Sequence, residues 1–191
     1  MRSDLRRKKM KKWTGMLLGT IAILTVSCAH VSTNTGSYAE DRAQIEDLQA
    51  RYLFALDFFD MDTYVSTFTE DGVLDIIAYQ AKGREEIRER LEESRPVFDQ
   101  SAGEAPKGPY PATGRHNITN IVLKIDGDKA VGTSYWFHYG NNNPERKAVL
   151  DGYGHYEDEM LKVNGQWLFS KRVIYNEGVA DWIGPKENPS W

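Results

Sequence analysis

The sequence predicts an α+β fold, with helices first and an antiparallel sheet after them. Apolar residues recur at helical spacing between residues 38 and 95. From His116 onward the chain changes to runs rich in Ile, Val, Tyr, Phe and Trp. Three turn signals divide those runs into four strands: Asp126-Gly127-Asp128, Asn141-Asn142-Asn143-Pro144 and Asn164-Gly165.

The first helix opens at Ser37-Tyr38-Ala39-Glu40, which has capping-box spacing. Ile45, Leu48, Tyr52, Ala55, Leu56 and Phe59 then mark its inner face. The run Tyr52 to Phe59 is apolar nearly all round, as in a helix buried on most sides. Asp62 caps a second short helix reaching Phe68 and stopped by Gly72. Val73 to Tyr79 reads as a strand. Arg84 to Arg95 reads as a third helix with Ile87 and Leu91 inward, ended by Pro96. Asp99 to Gly114 holds three prolines and three glycines without periodicity, and a patternless stretch of that length is either a lid or a surface loop. The strands are His116–Ile125, Lys129–Tyr139, Ala148–Lys162 and Gln166–Tyr175.

Of the 191 residues, 40 % are hydrophobic, enough for one ordinary core, so a wholly disordered chain is excluded. The net charge of −4 joins two unlike parts. Residues 1–27 carry seven basic residues and one acid, and the remainder carries 17 basic and 27 acidic, a net of −10. An acidic body excludes a nucleic-acid partner, since phosphate binding needs clustered Lys and Arg. The basic stretch ends at Lys12, and fifteen uncharged residues follow from Trp13 to Ser27. A membrane span needs about 20, so the pattern is that of a secretory signal. It closes on Leu24-Thr25-Val26-Ser27-Cys28, which resembles a bacterial lipobox. The expected organisation is a signal peptide over 1–27 and cleavage before Cys28, which carries the lipid. A flexible tether follows over 28–38, a domain over 39–178 and a tail over 179–191. The chain is then exported and held on a bacterial membrane through the anchor alone. One cysteine excludes an internal disulfide framework.

Asp57 is the only charge in the apolar run Tyr52 to Phe59. A carboxylate there is paired in a site, or it sits at an exposed helix end. His116 opens a strand, and alternation puts His116, Ile118, Asn120 and Val122 on one face. On that face His116 is within reach of pairing with Asp57, which would hold its tautomer. His138 shares a face with Ser134 and Trp136, whereas His155 reads as a surface residue. Arg172, mid-strand among apolar neighbours, needs a carboxylate partner or an anionic ligand. Tyr52 is a core residue or a hydrogen-bond donor to an oxyanion. There is no zinc-ligand spacing, nucleotide fingerprint or nucleophile elbow, so no metal or cofactor is expected.

The ordered parts Ile45-Glu46-Asp47-Leu48…Tyr52…Asp57, Phe68-Thr69-Glu70-Asp71-Gly72-Val73, Gly83-Arg84-Glu85-Glu86-Ile87, His116-Asn117-Ile118-Thr119-Asn120, Gly154-His155-Tyr156-Glu157-Asp158 and Gly165-Gln166-Trp167…Arg172 resemble the SnoaL-like branch of the nuclear-transport-factor-2-like superfamily. The resemblance spans Glu40 to Tyr175. It implies a cone, in which three helices lie on the concave side of a strongly curved mixed sheet and a pocket lies between. Within the branch the sequence is most similar to dehydratases and dehydrohalogenases. That implies catalytic roles for Asp57, His116, Tyr52, Arg172 and His138, and a pocket lined by Asn120, Trp136 and Phe54. It implies elimination from a small hydrophobic hydroxylated or carbonyl substrate without a cofactor. An isomerase of this fold would need a second acid on a late strand, where Asp151 and Asp158 are distant candidates. A non-catalytic carrier would show an apolar pocket without facing polar groups. Outer-face Tyr135, Phe137 and Tyr139 allow a homo-oligomer, a dimer or trimer. If the anchor reading holds, Cys28→Ala expressed in a Gram-negative host loses metabolic labelling with a fatty acid and leaves the membrane fraction. An unchanged distribution would remove the anchor.

Overall fold

The computed structural model describes residues 37–101, 114–184 and 187–189. The expected signal segment, Cys28, the tether up to residue 36, and residues 102–113 of the Pro/Gly-rich stretch lie outside the described residues. Among the described residues no helix is long and apolar enough to cross a membrane.

Helix α1 (Tyr38–Asp57) begins with the anticipated capping box. The Glu40 N–H donates to Ser37 Oγ and the Ser37 N–H to the Glu40 carboxylate, each at 3.2 Å. Ile45, Leu48, Tyr52, Leu53 and Ala55 are buried. The helix is not buried all round, because Phe54 and Phe58 are each 64 % exposed and stack on each other on its outer side. Helix α2 (Met61–Ser66) is capped by Asp60, which accepts from the Thr63 N–H at 3.1 Å. Asp62, two residues past the cap, pairs with Arg88 instead. Helix α3 (Arg84–Ser101) buries Ile87 and Leu91 and runs on through Pro96. Proline removes one N–H···O bond from a helix, which can kink it without ending it.

Six strands form one mixed sheet: β1 (Phe68–Asp75), β2 (Gln80–Lys82), β3 (Gly114–Asp126), β4 (Lys129–Gly140), β5 (Val149–Val163) and β6 (Gln166–Asn176), in the order β2-β1-β6-β5-β4-β3. Strands β1 and β6 run parallel, and every other pair is antiparallel. Strand β2 has no counterpart in the sequence reading, since three residues before Gly83 (φ +83°) are too few to show a period. β3–β4, β4–β5 and β5–β6 each carry one register shift, which bends the sheet and re-aims side chains.

Polar contacts spaced along α1 dock it on the concave face. Asp41 accepts from Lys162 Nζ at 2.6 Å and from Trp167 Nε1 at 2.9 Å, tying the helix start to the β5–β6 hairpin. Gln49 donates to Asp158 at 3.4 Å, and the Tyr52 ring lies 4.2 Å from the Arg172 guanidinium. Arg172 and Asp158 face each other across β5 and β6, joined at 2.8 and 2.7 Å with both side chains fully buried. Rings of Tyr52, Tyr156 and Phe169 cover the guanidinium at 4.0–4.2 Å. Burial disfavours the charge on Arg172, and the adjacent Asp158 carboxylate more than offsets that, holding its pKa above the ordinary value. Removing one partner strands a buried charge. Asp158→Asn is therefore expected to lower the unfolding free energy by about 3–5 kcal/mol, measured by urea denaturation at neutral pH. A loss near zero would mean that the pair does not hold the cone.

Candidate active site

Asp57 is the last residue of α1, where the helix dipole disfavours a carboxylate. Two donors from one residue compensate. The His116 N–H reaches Oδ2 at 3.0 Å, and His116 Nδ1 lies 2.6 Å from Oδ1. The Asp57 side chain is 5 % exposed and that of His116 14 %. With Nδ1–H committed to Asp57, the free lone pair of His116 is on Nε2. His116 lines a cavity of about 400 Å³ together with Tyr52, Tyr64, Tyr79, Trp136 and Tyr156. Ser94 and Asn176 add polar groups, and Leu56, Leu74, Ile76, Leu91 and Ile174 make up most of the remaining wall. The volume suits one small molecule.

The sequence profile of the SnoaL-like domain matches residues 37–173. The chain belongs to the SnoaL-like family. Solved structures with the same fold include Rv3472, a protein of unknown function from Mycobacterium tuberculosis, 26 % identical over 73 % of each chain with a TM-score of 0.60. ActVI-ORFA from Streptomyces coelicolor is 21 % identical, over 74 % of this chain and 98 % of its own, with a TM-score of 0.62. A candidate scytalone dehydratase from Novosphingobium aromaticivorans is 23 % identical, over 78 % of this chain and 92 % of its own, with a TM-score of 0.56. No curated protein matches the sequence.

In this SnoaL-like domain Tyr64 O–H donates to the Tyr52 oxygen at 2.7 Å, leaving the Tyr52 proton free for another acceptor. Trp136 is in the lining, its ring stacked on Tyr156 and its Nε1 donating to Tyr175 O at 3.0 Å. His138 stands directly across from His116 in the β3–β4 register, with ring centroids 4.5 Å apart.

His138 is beside His116 but not in the cavity lining, and three further expected site residues lie elsewhere. Arg172 is sealed behind the Tyr52, Tyr156 and Phe169 rings with Asp158 and does not line the cavity, so it supports those rings and does not meet a ligand. Asn120 has φ +53° at the β3–β4 register shift. The shift turns Ile121, Leu123 and Ile125 inward in place of Asn120 and Val122, and Asn120 lines a polar hollow with His155 and Glu177. Phe54 is on the outer side of α1. His155 is buried rather than superficial, stacked on Tyr175 at 4.5 Å and 3.3 Å from Glu177. Tyr64 and Asn176 line the cavity but sit in no pattern that a two-residue or helical period resolves. Tyr156 was legible, since it alternates with Asp158 in Gly154-His155-Tyr156-Glu157-Asp158. Among the described residues no three or more His, Cys, Asp or Glu side chains are arranged to hold a metal ion.

Burial pushes the phenols of Tyr52, Tyr64 and Tyr156 above the ordinary tyrosine value, so they stay neutral donors. The folded state then keeps protons that the unfolded chain releases near pH about 10. Stability is expected to fall as pH rises through that value. These three of the ten tyrosines should ionise only together with unfolding, seen as cooperative phenolate absorbance. Smooth ionisation of all ten before unfolding would contradict their placement.

Proposed function

We propose that the protein is a cofactor-independent lyase that eliminates water, or a related leaving group, from a small hydrophobic hydroxylated carbonyl compound. One observation carries the reading: the Asp57–His116 pair, 2.6 Å apart, presents an imidazole to an aromatic cavity. His116 Nε2 takes a proton from the carbon beside the carbonyl. Asp57 keeps the ring oriented and stabilises the imidazolium that forms. The Tyr52 hydroxyl, polarised by the donor Tyr64, holds the negative charge developing on the carbonyl oxygen. The carbanion pair then forms the C=C bond, the C–O pair leaves with the oxygen, and the proton held by His116 joins it, so that water departs and the imidazole is neutral again. The polar groups on the cavity wall favour this over a purely apolar carrier.

We further propose that the protein acts outside the cytoplasm, held by a lipid on Cys28, and that it self-associates. The basic and apolar opening segments support the first. Tyr135, Tyr139 and Tyr153, exposed by 42–48 %, support the second.

The test uses a β-hydroxy ketone, the aldol of benzaldehyde and acetone, with formation of the conjugated enone followed by absorbance. His116→Ala is expected to lower turnover by about 10²–10⁴-fold. It should also abolish enzyme-dependent exchange of the ketone α-protons in heavy water, read by NMR. Turnover and exchange equal to those of the unaltered protein would remove His116 as the base.

A further inference from the structure

Elimination at His116 concerns one end of a substrate and leaves the other end unread. We propose that Asn176 reads that other end, its amide N–H group donating to a second acceptor oxygen remote from the reacting carbon. This rests on the reading of the cavity as a substrate site. It narrows the substrate to an aromatic β-hydroxy ketone whose ring carries a further carbonyl oxygen.

Asn176 ends β6 and lines the cavity together with His116 and Trp136. It also opens a turn. Its backbone carbonyl accepts from the Val179 N–H at 3.2 Å, and its side-chain Oδ1 accepts from the Gly178 N–H at 2.9 Å. A backbone N–H needs an acceptor, and of the two amide ends only Oδ1 is one, so the turn fixes which way the amide faces. The NH2 end points away from the turn. Among the described residues no acceptor meets it. Asn176 therefore offers the cavity N–H donors and no lone pair. Ser94, another polar group on the wall, has the opposite sense. Its hydroxyl donates to Leu91 O at 2.7 Å, which leaves lone pairs only. A carbonyl oxygen on the substrate is matched by Asn176 and not by Ser94.

Sheet register sets this donor opposite the base. Ile118, Trp136, Gly154 and Asn176 pair in a row across β3, β4, β5 and β6, and His116 is two residues from that row. Three strand spacings separate the ends of the row, about 14 Å along the sheet. The Trp136 ring lies between them, 6.0 Å from the His116 ring and stacked on Tyr156. Its Nε1 is spent on Tyr175 O, in the peptide leading into Asn176, so the indole adds ring surface and no free donor. Gly154 permits that bond. A Cβ there would sit 2.0 Å from Tyr175 O and 3.1 Å from Trp136 Nε1. An aromatic substrate lying against Trp136 then has one end at His116 and the other at the Asn176 amide. The bonds that break and form are at the first end. A hydrogen bond at the second holds ground state and transition state alike, so it acts on KM and leaves kcat unchanged.

The experiment uses two substrates of one shape. One is the β-hydroxy ketone above with a para-acetyl group on its ring. The other carries para-isopropenyl, in which a CH2 group replaces the acceptor oxygen. The unaltered protein is expected to favour the acetyl compound by about tenfold in kcat/KM, through KM. Asn176→Asp keeps an oxygen for the Gly178 N–H and removes the donor. It should raise KM for the acetyl compound by about tenfold, and leave its kcat and both constants of the isopropenyl compound within about threefold. The intrinsic reactivity of each substrate cancels when one protein is compared with the other. Isothermal titration calorimetry with the two product enones repeats the comparison without turnover. The same preference in the unaltered protein, and its loss in Asn176→Asp, are expected. No preference in the unaltered protein overturns the proposal and leaves His116 as base. Equal weakening of both compounds in the variant also overturns it, since a damaged turn would act on both. If neither substrate is turned over while the enones bind with the expected preference, the elimination falls and Asn176 keeps its role. If neither enone binds, the cavity is not the site and both readings fall.

Discussion

A buried charge pair at the centre of the sheet sets the terms for the rest of the molecule. Arg172 and Asp158 are both fully enclosed, and neither tolerates burial alone. Their mutual hydrogen bonds and the three ring faces around the guanidinium meet that demand. Two of those rings, Tyr52 and Tyr156, present their other sides to the cavity. The ion pair therefore fixes the register of β5 against β6 and, through Gln49 and Tyr52, the depth at which α1 lies on the sheet. Polar chemistry that never touches a ligand decides where the ligand-facing aromatics stand.

The same helix carries this constraint to the dyad. Asp41, Gln49, Tyr52 and Asp57 are successive contacts of α1 with the sheet, and the last falls at the helix end, next to the start of β3. A carboxylate at a helix C-terminus is disfavoured unless donors meet it. His116 supplies both its backbone and its ring N–H, so relieving that unfavourable placement also orients the imidazole. Stability and orientation come from one arrangement. Strand β4 adds His138 opposite His116, and the bulge in β5 brings Asp151 to His138.

Much of the fold was legible because its signals are local. The capping box at Ser37, the four long strands and the Asn164-Gly165 turn follow from spacing and turn chemistry. Asp57 and His116 stood out as a lone charge in an apolar run and a histidine opening a strand. Strict alternation fails at one point in β3. The break at Asn120 sends Asn120 and Val122 outward, where a two-residue period had them facing inward. Phe54 and Phe58 face outward although the apolar run predicts burial on most sides, because hydrophobicity alone does not tell which side of a helix meets the sheet.

The sequence by itself determined the first helix's cap and the turns between the four long strands, since each rests on neighbours a few positions apart, and it marked Asp57 and His116 as candidates. Only the tertiary structure decided that Arg172 belongs to the scaffold, that Asn120 faces away, and that Asp151 meets His138. Each of those depends on a partner brought close by sheet register, and one bulge is enough to turn a side chain to the other face.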